Sequence, residues 1–201
     1  MKTCLALALA LTSLAACGDD GATPDDNEVI SRVVVTFEPT NSNPRSFTWD
    51  DPDGDGGDAP TVEPITLAPG SHTMRVQFLN ALETTPEDIT QEVADEGEEH
   101  LVLLLGSAVI GPATTTTSGP LMQAYADTDA NGLPLGLAHT IQVSPGTGTL
   151  RVVLRHMPAE EPPGKSATTL DDVKAGGLTA IGGSTDVDVE FMVTAAGAPP
   201  T

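Results

Sequence analysis

An all-β fold, an antiparallel β-sandwich carrying one short helix, is predicted by three features of this 201-residue chain. Short runs rich in Val, Ile, Phe and Thr alternate apolar with polar residues. Clusters of Gly, Pro and Asp separate those runs. Nowhere do strand patterns alternate with helix patterns, which a doubly wound sheet would require.

The first run, VISRVVVTFEP, places Val33, Val35 and Phe37 on one face and Val34 and Thr36 on the other. SFTWD follows with Phe47 and Trp49 alternating against Ser46, Thr48 and Asp50. Ile65 to Leu67 and His72 to Leu79 read as a hairpin. Pro69 presets the first central angle of its turn, and Gly70 supplies the positive φ of the second. In the return strand Met74, Val76 and Phe78 share a face.

One stretch departs from period two. Thr85-Pro86-Glu87-Asp88 offers an N-cap hydroxyl, a proline for the first helical position and acids for the first turn. Ile89 and Val93 then fall four apart and Gly97 ends the run, so a helix is expected from Pro86 to about Glu96.

Leu101 to Leu105 is continuously apolar, as in a central strand covered on both faces, although periodicity alone also allows a helical segment. Leu121 to Ala126, Thr140 to Val143 and Leu150 to Met157 continue the β pattern, the last two joined by Ser144-Pro145-Gly146-Thr147-Gly148. Thr185 to Val193 alternates cleanly, with Val187, Val189, Phe191 and Val193 inward and Asp186, Asp188 and Glu190 outward. Roughly eight or nine strands of this kind fit a sandwich of immunoglobulin-like or transthyretin-like type. The loops 106–119 and 159–183 are expected to be long and mobile.

The chain opens on MKTCLALALALTSLAAC, with one early cation, an apolar stretch and small residues at its end. That is an export signal, too short for a membrane span of about 20 residues. Leu14-Ala15-Ala16-Cys17 resembles the lipobox of bacterial lipoproteins, which implies lipidation of Cys17 and palmitate-type acyl anchoring. Several chains, at about 0.8 kcal/mol per buried methylene, hold a protein on a membrane where one would not. The expected organisation is a signal peptide over 1–16, a flexible tether over 17–28, one sandwich domain over 29–195 and a disordered tail over 196–201. The expected location is the cell envelope, anchored at the outer membrane. With Cys4 removed and Cys17 acylated, no thiol is left for a disulfide or a thiolate metal site.

The formal net charge is -21 and the pI about 4.1. Such a surface repels nucleic acid and anionic headgroups and suits divalent cations or basic partners. It also keeps an exported protein soluble.

Two acidic loops carry the candidate chemistry. Asp51, Asp53, Asp55 and Gly56 match the DxDxDG opening of a calcium loop, and Asp127, Asp129, Asn131 and Gly132 match its DxDxNG form. Alternate side-chain oxygens converge on a hard cation there, and glycine permits the sharp turn. The twelfth positions are Val62 and Ala138, so neither loop has the bidentate glutamate of an EF-hand. Asp58 and Glu63 are candidates to complete the first loop. The competing reading is a solvated turn, since Asp, Asn and Gly dominate turns for their own backbone reasons.

Pro163-Gly164-Lys165-Ser166 lacks the first glycine of a phosphate-binding loop, that position being Ala159. His72, His100, His139 and His156 have no zinc-type spacing and read as strand-edge or loop residues. No GxSxG occurs. Trp49 and Tyr125 are a thin basis for a sugar platform, and Trp49 reads as core.

Taken together, DPDGDGGDAPTVEPITL, FLNALETTPEDITQEVADEGEEHLV, DTDANGLPLGL, LRHMP and TDVDVEF resemble a group of uncharacterised bacterial lipoproteins of similar length. The resemblance covers most of the mature chain and supports the acidic-loop residues as ligands if those loops are a group feature. It supplies no catalytic residue. The expectation is a lipid-anchored envelope protein, not an enzyme, with an interaction or structural role and calcium in its loops. The alternative is a ligand-binding module for sugar or peptide, its partner an envelope protein or glycan.

Overall fold

The computed structural model describes residues 29–40, 42–54, 56–82, 84–159 and 163–196. The signal, the tether, Cys17, Asp55 and all but Ala196 of the expected tail lie outside them. Two sheets face each other. The first is built from β3 (Thr61–Val62), β2 (Arg45–Asp50), β1 (Arg32–Pro39), β5 (Gly70–Asn80), β10 (Ala138–Val143), β9 (Leu121–Tyr125) and β8 (Val109–Ile110), in that order, with β6 (Glu87–Asp88) beside the end of β5. The second runs β4 (Ile65–Leu67), β12 (Ser184–Ala195), β11 (Gly146–His156), β7 (His100–Leu105). The all-β sandwich expected from the sequence is the architecture found. Pairing is antiparallel except where β12 meets β4 and β9 meets β8.

The alternating runs do what period two requires. Val33, Val35 and Phe37 of β1 and Met74, Val76 and Phe78 of β5 point into the core, opposite Leu150, Val152 and Leu154 of β11 and Val189, Phe191 and Val193 of β12. Each such large side chain contributes roughly 1.5–3 kcal/mol by leaving water. Along β12 the inward residues are buried from Val187 to Ala195 and the intervening ones exposed.

Leu101 to Leu105 is covered on both faces, although β7 lies at the end of its sheet. Val102 and Leu104 enter the main core, whereas Leu101 and Leu103 join Val153, Met157 and Val173 in a second cluster on the outer face. Val173 comes from a helix, α2 (Thr169–Gly176), followed by a 3-10 turn at Leu178–Ala180. These lie within the segment read as a mobile loop. Their apolar stripe is so short, Leu170, Val173 and Leu178, that periodicity alone did not reveal it. The other such loop also holds structure: β8, and a turn in which the Gly111 N–H donates to Thr114 Oγ and Thr114 Oγ–H donates to Val109 O.

The helix expected from Pro86 to Glu96 is shorter. Thr85 does not cap it, because Glu87 and Asp88 pair with Leu79 and Asn80 and the Ile89 N–H donates to Phe78 O at 3.0 Å. The helix α1 is Thr90–Asp95, and Asp88 Oδ1 accepts the Thr90 N–H at its start. Ile89 and Val93 are buried as the stripe required.

The turn at Pro69-Gly70 does not close a hairpin. β4 and β5 belong to different sheets, so this turn carries the chain across the sandwich, with His72 Nε2 3.0 Å from Ala68 O at the corner. The Ser144 to Gly148 turn makes the same crossing between β10 and β11. Turn residues specify that the chain reverses, but the destination strand depends on which apolar faces must meet.

Candidate functional site

In the first acidic loop Asp53 is the organising residue. Its Oδ2 accepts the N–H groups of Gly57 at 2.8 Å and Asp58 at 3.0 Å. The Asp58 N–H, with help from the Gly57 N–H, holds Asp53 below the usual carboxylate range, and the Asp51 carboxyl lies within hydrogen-bonding reach. The Asp51 N–H donates to Ser31 O at 2.8 Å and so anchors the start of the loop to the sheet. Glu63 is not turned to this loop: its Oε2 accepts the Thr48 N–H at 2.9 Å on β2. Asp58 is exposed.

The second loop is closed by backbone donors. Asp127 accepts the Gly136 N–H on Oδ1 at 2.8 Å and the Ala138 N–H on Oδ2 at 2.9 Å, which ties 127–138 into a compact loop. Asp129 Oδ1 accepts from Asn131 at 2.9 Å and Leu133 at 2.8 Å. Asp129 Oδ2 meets the Lys165 ammonium at 2.8 Å, with both side chains almost fully buried. Lys165 also donates to Gly97 O and His100 O, each at 2.8 Å. Burial pushes the Asp129 carboxyl up, but Lys165 and the two N–H donors outweigh it and leave it below the ordinary range. Burial lowers Lys165 against the opposing pull of Asp129.

The calcium candidates thus separate. Asp51 and Asp53 come together, whereas Asp127 and Asp129 are each committed to donors of the chain. Among the described residues no group of three or more His, Cys, Asp and Glu is placed to share a metal ion. Lys165, which the sequence offers only as part of an incomplete phosphate-loop pattern, is the residue that supplies Asp129 of the second loop with a counter-charge. No local signal marks it, because its three partners come from segments more than 30 positions away.

Beside that loop a polar network joins the sheets. Tyr125 donates its hydroxyl to Val102 O at 3.0 Å, and its ring lies 5.0 Å from that of His139. His139 donates from Nε2 to Gly136 O at 2.8 Å and accepts at Nδ1 from Gln123 Nε2 at 2.9 Å, which defines its neutral tautomer. Burial lowers His139 to about 4. All four histidines sit within strands. His100, likewise lowered to about 4 by burial, stacks on His156 with ring centroids 4.8 Å apart. His156 in turn faces Glu99 at 3.4 Å.

The outer face of the first sheet carries a groove of about 530 Å³, lined chiefly by Ser71, Thr73, Met122, Thr140 and Gln142. Ser71 Oγ–H donates to Gln142 Oε1 at 2.8 Å. Met122 is 58% exposed. Neither Trp49 nor Tyr125 lines this groove. Trp49 packs against the main core as expected, and Tyr125 is turned to Val102. Among the described residues no helix is long and apolar enough to cross a membrane.

No family model, curated protein or solved structure matches this chain.

Proposed function

We propose that this chain is a lipid-anchored protein of the cell envelope whose sandwich engages a partner through the outer face of its first sheet. The observation that carries the reading is the charge of that groove. The chain has 29 acidic residues, yet among the described residues no aspartate or glutamate lines the groove, which offers hydroxyl, amide and thioether groups instead. In so acidic a chain this leaves a landing area without carboxylates, lined by hydroxyl, amide and thioether side chains. The lipobox-like Cys17 would hold the domain at the outer membrane, and no catalytic residue is assigned. Calcium in the Asp51 to Asp58 loop belongs to this reading as a stabiliser.

The lining also favours a second reading, a module for a neutral polar ligand such as a glycan. Hydroxyls and amides match sugar hydroxyls, although an aromatic platform in the groove would have favoured it more.

Site-specific photocrosslinking in intact cells separates interaction from inert structure. A crosslinker at Met122 should give a discrete adduct that the same group at Met192, 61% exposed on β12, does not. Loss of the Met122 adduct in Thr140→Arg would place the contact in the groove. Identical patterns from both positions, or no adduct at Met122, would remove the groove as a contact surface. Metabolic labelling with an alkyne fatty acid, abolished in Cys17→Ser, checks the anchor.

A further inference from the structure

The ammonium of Lys165 sits in an oxygen cage. Three segments build it: the turn after α1, the Asp127 to Leu133 loop, and the stretch around Gly164. Asp129 Oδ2, Gly97 O and His100 O each lie 2.8 Å from Nζ. The Lys165 side chain is 2% exposed and that of Asp129 0%. The ammonium donates to the Gly97 and His100 carbonyls and has the Asp129 carboxylate as its ion-pair partner, so its charge is balanced at a point almost closed to water. One carboxylate and two backbone carbonyls converging on a buried point are also the donors that a hard cation takes. Asp127 adds negative potential to the same place.

We propose that this is a cation site whose resident ion is the chain's own lysine, and that calcium occupies it once the ammonium is removed. Of the DTDANG loop only Asp129 reaches the ammonium, through Oδ2; the other two oxygens are the Gly97 and His100 carbonyls. Calcium–oxygen distances of about 2.3–2.6 Å require the cage to contract by only a few tenths of an ångström from the N–O spacing. The three cage oxygens leave at least three positions of a calcium shell for waters entering along the path of the removed lysine stem. Magnesium, which needs near-octahedral ligands at about 2.0–2.1 Å, suits carbonyls fixed in β7 and the preceding turn less well. In the unaltered chain a tethered ammonium competes at high effective concentration, so this loop does not respond to external calcium.

The test uses the full chain carrying Asp53→Ala, so that a response of the first loop cannot be mistaken for one here. In that background thermal unfolding with Lys165 present is the same in calcium and in choline chloride of equal ionic strength. Lys165→Ala lowers the melting temperature, because Asp129 loses its buried counter-charge. Millimolar calcium restores much of the loss, magnesium less and choline none. At calcium about 100 times its dissociation constant the folding equilibrium shifts about a hundredfold. Lys165→Ala combined with Asp129→Asn recovers stability without any ion and ignores calcium. If Lys165→Ala does not fold in choline, calcium-dependent refolding is the readout. Equal behaviour of Lys165→Ala in calcium and choline, folded or not, would overturn the proposal. A calcium response undiminished by Asp129→Asn would overturn it too.

Discussion

Gly136 shows how much one residue can be asked to do. Its φ is +92°, and a Cβ there would lie 2.4 Å from Val102 O and 2.9 Å from Tyr125 Cε1. The loop passes so close to β7 because the neighbouring Leu135 O accepts the Val102 N–H at 2.8 Å, which covers the outer edge of the second sheet. The same glycine presents its carbonyl to His139 and its N–H to Asp127. Gly136→Ala is therefore expected to destabilise the fold by more than about 2 kcal/mol, combining a left-handed backbone with a steric clash. Chemical denaturation would measure it, and a loss under about 0.5 kcal/mol, the range of an ordinary surface substitution, would contradict the argument. Gly132, at φ +78° with open space around it, supplies the contrast: alanine there meets the backbone cost alone.

At the scale of elements, the two acidic loops look alike in sequence and differ in how their charge is balanced. In the second, Lys165 balances Asp129 from inside, and backbone N–H groups hold Asp127. The first has the Asp51 and Asp53 carboxyls close together, with backbone N–H groups as the donors to Asp53. Calcium, if it binds in the unaltered chain, is expected at the first loop. Millimolar calcium should raise the melting temperature of the unaltered protein relative to chelator, and Asp53→Ala should abolish the rise. A rise that survives Asp53→Ala would mean that the ion sits elsewhere. Helix α2 teaches a related lesson. Asp171 and Asp172 in its first turn and Lys174 in its last complement the helix dipole, and Gly177 at φ +73° ends it. Those signals are present in the sequence. The stripe that gives the helix a reason to exist is completed only by the outer face of β7 and β11.

Across the whole molecule, buried histidines couple the fold to pH. His100 and His139 are both neutral in the folded protein, with pKa values lowered to about 4 by burial, against about 6.5 in an unfolded chain. Between those values the unfolded state binds more protons, so stability falls as pH drops from about 6.5 towards 4. Protonation would set a new His139 Nδ1–H against the Gln123 amide that now donates to it. It would also place charge on His100 between Lys165 and His156. Urea midpoints should decline over this window, and the decline should shrink in His139→Gln. A flat profile from pH 7 to 4.5 would show that neither histidine is held neutral. Below pH 4 the depressed carboxyls of Asp53 and Asp129 add a further loss as they take up protons.

Sequence by itself determined the fold class and the inward faces of β1, β5 and β12, because period-two burial is a local property of a strand. It also marked both acidic loops and the residues within them. Only the tertiary structure decided that the Pro69-Gly70 turn crosses between sheets, that α2 covers β7, and that Asp129 faces a lysine 36 positions away. The physical reason is the same in each case. A strand's faces and a turn's angles follow from neighbouring residues, whereas the balance of a buried charge and the covering of an apolar face depend on segments that meet only once the chain has folded.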